Sequence, residues 1–174
     1  MNNLKMLTIS SLLMISSLFR SNHTIKHKKM VDGLNLKNID SVMFVAHPDD
    51  ETIWGGSHLF KKHYLVVCLT NGNNKTRRKE FMNVMKATHN TGVMFNYPDK
   101  TNGQRDNWDK ARKDIKNDVH YILSKKKWKT VVTHNPDGEY GHIHHQMTSY
   151  IVRKDSRVDM NQLVYFGKYY RKKN

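Results

Sequence analysis

Apolar residues recur along this chain in short unbroken runs, separated by longer stretches where they return every three or four positions. Ser41 to Ala46 is one run, with two valines and a phenylalanine, ending abruptly at His47-Pro48. That pattern reads as a buried strand stopped by proline. Tyr64 to Leu69 is a second run, closed by the turn signal Thr70-Asn71-Gly72-Asn73. Val93 to Tyr97, Lys129 to Thr133 and Leu163 to Phe166 read as strands three to five. The intervening segments have helical spacing. Asp49 and Asp50 favour a helix start, with Ile53, Leu59 and Phe60 available for a core-facing side through Lys62. Thr76 to Asn90 predicts a helix with Phe81, Val84, Met85 and Thr88 on one side, and Gly92 is expected to end it. Trp108 to Lys126 predicts the longest helix, with Ala111, Ile115, Val119 and Ile122 on one face.

Strands alternating with helices imply an α/β fold: a Rossmann-like, three-layer arrangement with a mostly parallel, roughly five-stranded sheet and helices on both faces. Ligands of such sheets gather beyond the carboxyl ends of the strands. The polar residues that could carry chemistry stand there in the sequence. His47-Pro48-Asp49-Asp50-Glu51 follows strand one, Asn71-Gly72 strand two, Pro98-Asp99 strand three and the His134 to His145 segment strand four.

The first residues follow another pattern. Lys5 precedes an uncharged stretch, Met6 to Phe19, followed by Arg20, Lys26, Lys28 and Lys29. Such a core is short for a span of ~20 residues and fits a signal peptide better, although no small-x-small cleavage site follows. If retained as an anchor, the charge after it leaves the bulk of the chain on the cytoplasmic side. The expectation is therefore a segment 1–22 serving as signal peptide or anchor, with membrane association through residues 4–19, then a polar linker 23–37 and one domain over 38–174. The localisation expected is membrane-anchored, of the endoplasmic-reticulum kind, or secreted.

Composition narrows the partners. Thirty Lys and Arg against fifteen Asp and Glu give +15 in a chain of 174 residues, which favours anionic partners. The basic residues lie in short scattered clusters and no nucleic-acid-binding motif stands out, so nucleic acid is not the expected partner. Cys68 is the sole cysteine, which excludes an internal disulfide and a thiolate zinc cluster. The motifs of P-loop enzymes, serine hydrolases and HExxH peptidases are absent.

Two segments hold nearly all the candidate metal ligands. One offers His47 and Asp50, two residues apart. The other, His134-Asn135-Pro136-Asp137-Gly138-Glu139-Tyr140-Gly141-His142-Ile143-His144-His145, is dense in imidazole and runs into a helix. A catalytic zinc takes three nitrogen or oxygen ligands and leaves a position for water, a requirement met by His47, Asp50 and one histidine of the second segment. His142 and His145, three apart, share a helical face.

Ala46-His47-Pro48-Asp49-Asp50-Glu51 followed by Gly141-His142-Ile143-His144-His145 resembles the PIG-L/LmbE-like deacetylase family, over about Val42 to Val152. The resemblance implies zinc on His47, Asp50 and His145, Asp49 as general base, a protonated His142 as electrophile and Tyr140 near the reacting carbonyl. The implied reaction removes acetyl from an N-acetylglucosamine-containing substrate, with a phosphatidylinositol-linked form attractive on charge. Arg77, Arg78 and Asp99 are candidate substrate-binding residues, and Asp106 and Trp108 could line a sugar pocket. His144 is expected to face away, His134 to be structural or to support a ligand, and Glu51 to support a ligating histidine or face the helix dipole. The alternative from another class is a catalytically inactive basic protein that holds glycans or anionic surfaces on the same fold.

Overall fold

The computed structural model describes residues 25–170. A short helix, α1 (residues 25–32), leads into β1 (Ser41–Val45), two single-turn helices α2 (Asp50–Ile53) and α3 (Gly56–Leu59), and β2 (Tyr64–Thr70). Then come α4 (Lys75–Ala87), β3 (Thr91–Tyr97) and a small antiparallel hairpin of β4 (Lys100–Thr101) and β5 (Gln104–Arg105). The remainder is α5 (Arg112–Ser124), β6 (Thr130–Thr133), α6 (Gly138–Gly141), α7 (Ile143–Arg153) and β7 (Leu163–Tyr165).

Five strands make one sheet in the order β3-β2-β1-β6-β7, each neighbouring pair parallel. Every position of β1 and β2 is buried, as the unbroken apolar runs require of strands covered on both faces. Val42, Phe44, Leu65 and Val67 face α5 and α7 through Ile115, Val119 and Ile151. Met43, Val45, Val66 and Cys68 face Leu59 of α3 and Phe81 and Met85 of α4. The Rossmann-like three-layer architecture expected from the sequence is the one observed. Because the chain steps from β1 outward to β3 and then returns to place β6 on the other side of β1, a crevice opens beyond the carboxyl ends of β1 and β6.

The structure departs from the sequence expectations where local contacts override periodicity. Ile53 and Phe60 are exposed and only Leu59 is buried. The segment breaks into two single turns at Gly55, where a Cβ would lie 2.9 Å from both the Glu51 carbonyl oxygen and Met43 Cε. Helix α4 stops at Ala87 and His89 takes the left-handed turn at φ 55°. Gly92 belongs instead to β3, where a Cβ would stand 2.6 Å from Met85 Cγ and Phe81 Cε1; its bareness lets α4 close on the sheet. Trp108 is also left-handed, at φ 58°, and α5 begins only at Arg112.

Within the span expected as a polar linker, α1 packs Val31 into the core. Its His27 stacks on Phe95 at 4.1 Å and lies 2.5 Å from an Asp118 carboxylate oxygen that also accepts from the Tyr97 hydroxyl. The expectation of a membrane-anchored chain is corrected: among the described residues no helix is long and apolar enough to cross a membrane. The apolar stretch 6–19 on which that expectation rested lies outside the described residues.

Candidate active site and metal centre

The loop after β1 is folded by its own acid. Asp50 accepts a hydrogen bond from the His47 backbone N–H at 2.8 Å, which turns the chain and brings the His47 ring beside the Asp50 carboxylate. The loop after β6 is tied to it by a buried histidine. His134 Nε2 accepts from the Ala46 backbone N–H at 3.0 Å, so its proton lies on Nδ1 and is donated to Glu139 Oε2 at 3.0 Å. The other Glu139 oxygen accepts from the Asn135 backbone N–H at 2.7 Å. Glu139 reaches these partners from a left-handed backbone, φ 56°, a conformation a non-glycine residue holds only when its surroundings impose it. Gly138 and Gly141 on either side of that turn also have positive φ, 72° and 93°.

Three donor groups converge between the loops. His47 Nδ1 and His145 Nε2 lie 3.3 Å apart. Each is also 3.3 Å from an Asp50 carboxylate oxygen, His47 from Oδ2 and His145 from Oδ1. Ligands at 2.0–2.1 Å around a tetrahedral cation stand about 3.3–3.4 Å apart, so the spacing suits one divalent ion. His145 is prepared for the role, because its Nδ1 donates to Glu139 Oε2 at 2.5 Å and leaves the Nε2 lone pair directed at the cluster. His134 also approaches Asp50, at 3.4 Å, but the Ala46 N–H occupies its Nε2 and Glu139 takes its proton. It supports the cluster rather than joining it.

Electrostatics follow from this packing. Burial works to raise the Asp50 pKa, but His134, His145 and His47 outweigh it and hold the carboxylate well below its usual range. Burial likewise opposes the charge of Glu139, yet His134 and His145 bring it down to about 2. Burial disfavours a charged His145, while Asp50 and Glu139 raise it to about 9. Glu51 is different: burial pushes it up to about 7, it accepts from the neighbouring Thr52 hydroxyl at 2.8 Å, and among the described residues it forms no hydrogen bond or ion pair with a histidine of the cluster.

Above the donors is an open cleft of about 390 Å³ whose lining includes Asp49, Arg77, Asp99, Arg105, Tyr140 and His142. That volume falls at the lower end of small-molecule sites. Arg77 Nη2 donates to Asp49 Oδ2 at 2.8 Å and to the Pro48 carbonyl at 2.7 Å, so its guanidinium fixes the acid. Arg78 points instead to the Gly72 carbonyl at 3.5 Å and is not among the lining residues. Tyr140 exposes its ring to the cleft and stacks near Trp54, centroids 6.2 Å apart. Burial and the nearby Asp50 raise its pKa, keeping the hydroxyl a donor.

His142 caps α7, its Nδ1 accepting from the His144 backbone N–H at 3.2 Å. Burial, then His145, His47 and Arg105, hold its pKa down to about 3. Its Nε2 faces the Arg105 guanidinium, a group that can only donate. His144 does not face away. It is fully buried, stacked on Trp108 with centroids 4.2 Å apart, and its Nδ1 lies 3.1 Å from His47 Nε2. Trp108 thus supports a site histidine and donates its indole N–H to the Pro98 carbonyl at 2.7 Å.

Glu139 and Arg105 escaped the sequence reading. Glu139 had one legible signal, an acid between His134 and His145 in a glycine-flanked turn. Arg105 had none, since the two-residue strands that carry it leave no periodicity.

Comparison with known proteins agrees with this geometry. The family model described as PIG-L, GlcNAc-PI de-N-acetylase, matches residues 42–155. An uncharacterised protein, L374, of Acanthamoeba polyphaga mimivirus is 34% identical over 137 residues, covering 69% of this chain and 59% of the relative. A probable N-acetylglucosaminyl-phosphatidylinositol de-N-acetylase of Schizosaccharomyces pombe is 29% identical over 123 residues, 62% of this chain and 48% of the relative. The chain thus spans about half to three-fifths of the length of these relatives. The matched region contains both loops, the donor cluster and the cleft, and over it the chain belongs to the PIG-L family.

Proposed function

We propose that this chain is a PIG-L-type hydrolase: a zinc-dependent deacetylase that removes the N-acetyl group from an N-acetylglucosamine-containing substrate. The observation that carries the reading is the convergence of His47 Nδ1, His145 Nε2 and the Asp50 carboxylate at 3.3 Å spacings on the floor of a cleft bordered by a separate acid, Asp49. The family description and the name of the S. pombe relative make the phosphatidylinositol-linked sugar the specific candidate.

His47, Asp50 and His145 would hold the metal. When bound, zinc supplies Lewis acidity at the amide carbonyl and brings the pKa of coordinated water toward about 7. Asp49, held by Arg77 and half exposed to the cleft, takes the proton from the water that attacks the acetyl carbon. The amide C–N bond then breaks, and Asp49 returns that proton to the departing nitrogen, leaving acetic acid and the amine, which at neutral pH part as acetate and the ammonium. The oxyanion that develops on the carbonyl needs donors placed beforehand. His142 and the Tyr140 hydroxyl line the same cleft and serve as those donors.

Acetate release from N-acetylglucosamine conjugates, with and without chelator, tests the assignment. Turnover should disappear on metal removal, and Asp49→Ala should retain metal while losing about 10²–10⁴-fold in kcat. Undiminished turnover in Asp49→Ala, or in chelator, would defeat the proposal. Running a soluble conjugate beside the lipid-linked one decides the substrate.

A further inference from the structure

Both ring nitrogens of His47 are engaged by side chains of the site. Nδ1 faces Asp50 and His145, whereas Nε2 faces His144 Nδ1 at 3.1 Å. A neutral imidazole carries one proton, so what happens at Nε2 decides whether Nδ1 has a lone pair to offer. The partner settles its own state first. His144 Nε2 lies 2.5 Å from the Asp106 backbone carbonyl, an acceptor only, so His144 must carry its proton on Nε2. Its Nδ1 is then an acceptor aimed at His47.

From this chain of contacts we infer that His144 is a positioning residue, which takes the Nε2–H of His47 as a hydrogen bond and so presents His47 Nδ1, unprotonated, to the cation. The inference rests on the metal reading given above. His144 does for His47 what Glu139 does for His145, with a ring in place of a carboxylate. The surroundings hold it to that one geometry: it is fully buried, and Trp108 covers its face with an interplanar angle of 6°. Trp108 reaches that position only through its left-handed backbone, and its own N–H is bonded to Asp106 Oδ1 at 2.6 Å. One residue, Asp106, therefore anchors both the stacking ring and the proton of His144.

The same atoms admit a second interpretation, a second cation held by His47 Nε2, His144 Nδ1 and Asp99 Oδ1, the last at 3.5 Å and 3.7 Å from the two rings. Two features weigh against it. The Arg105 guanidinium already stands 3.7 Å from that Asp99 oxygen and supplies positive charge where a second ion would sit. His47 could also serve two ions only as a fully deprotonated imidazolate.

Zinc affinity and stoichiometry, read by competition with a chromophoric chelator on the full chain, test the inference. His144→Asn keeps an acceptor near the place of Nδ1 and should bind one zinc with affinity within about threefold of wild type. His144→Gln moves the polar group toward the place of Nε2 and should lose about 10–100-fold. Nitrogen-15 histidine spectra of zinc-loaded wild-type protein should show His47 and His144 each protonated at Nε2, a readout that does not depend on how the variants fold. Equal affinity in His144→Gln and wild type, or a His47 without a proton on Nε2, would overturn the positioning role while leaving the metal site standing. Two zinc ions per wild-type chain, falling to one in His144→Asn and His144→Gln, would replace it with the second-cation reading. Absence of zinc binding by wild type would remove both this inference and the metal reading on which it rests.

Discussion

His145 can offer Nε2 to a cation because Glu139 keeps its proton on the opposite nitrogen. Glu139→Gln weakens that constraint, since an amide can present a donor where the carboxylate could only accept. The variant should bind zinc about 10–100-fold more weakly, measured by chelator competition, while circular dichroism shows the fold kept. Unchanged affinity would mean that the 2.5 Å contact does not set the tautomer. Arg77 makes a different demand. It is a candidate for holding substrate, and because its guanidinium spans Asp49, the Pro48 carbonyl and Glu80 we propose that it also aims the base. A lysine cannot reproduce the fork that grips two acceptors at once. Arg77→Lys should lower kcat about 10- to 100-fold with KM and zinc content nearly unchanged. A rise in KM alone would return Arg77 to the substrate.

At the scale of elements, Gly92 shows how α4 is seated. Phe81 and Met85 close over the bare Cα of β3, and a methyl group there would stand 2.6 Å from both side chains. Gly92→Ala should cost about 1–3 kcal/mol in denaturant unfolding without altering zinc affinity, since α4 contributes no donor to the cluster. Stability equal to wild type would show that α4 shifts freely. This glycine also marks what could be read from the sequence. The apolar runs identified the five strands of the main sheet, most plainly β1 and β2, where burial on both faces leaves an unbroken pattern, and the motif after the first of them placed His47, Asp49 and Asp50 at its end. The helix limits were less legible. Gly92 looked like a terminator, yet His89 supplied the left-handed residue, and Trp108 looked like the first residue of α5, yet it packs on His144. Both contacts join residues remote in sequence, so no local spacing reports them. The same holds for His144: on helical periodicity it turns away from His142 and His145, and only the loop bearing Asp106 brings its ring against His47.

Over the whole molecule, the donor cluster is a long-range closure. His47 and His145 stand 98 positions apart, and they meet because the sheet places β1 beside β6. A cation between them binds the folded chain and not the unfolded one, so it adds to stability by mass action. In its absence a proton takes its place. Burial opposes the charge on His145, but Asp50 and Glu139 prevail and raise its pKa to about 9, above the ordinary value near 6.5. A raised histidine stabilises the fold fully below its unfolded value and loses that contribution as pH climbs through the folded one. Chelated protein should therefore lose about 1–3 kcal/mol between pH 6.5 and 9 from this group. Zinc-loaded protein should not lose it, because the ion already holds the Nε2 lone pair. Binding must also displace that proton below about 9, so zinc affinity should climb roughly tenfold per pH unit over the same range. These are one linkage seen from two sides: the stability gap between loaded and chelated protein, which is the zinc-binding free energy, widens as pH rises. Unfolding curves at pH 6.5 and 9, each with zinc and with chelator, measure it directly. A gap that stays constant or narrows would show that His145 holds no proton in the metal-free fold, and would remove it from the proposed ligand set.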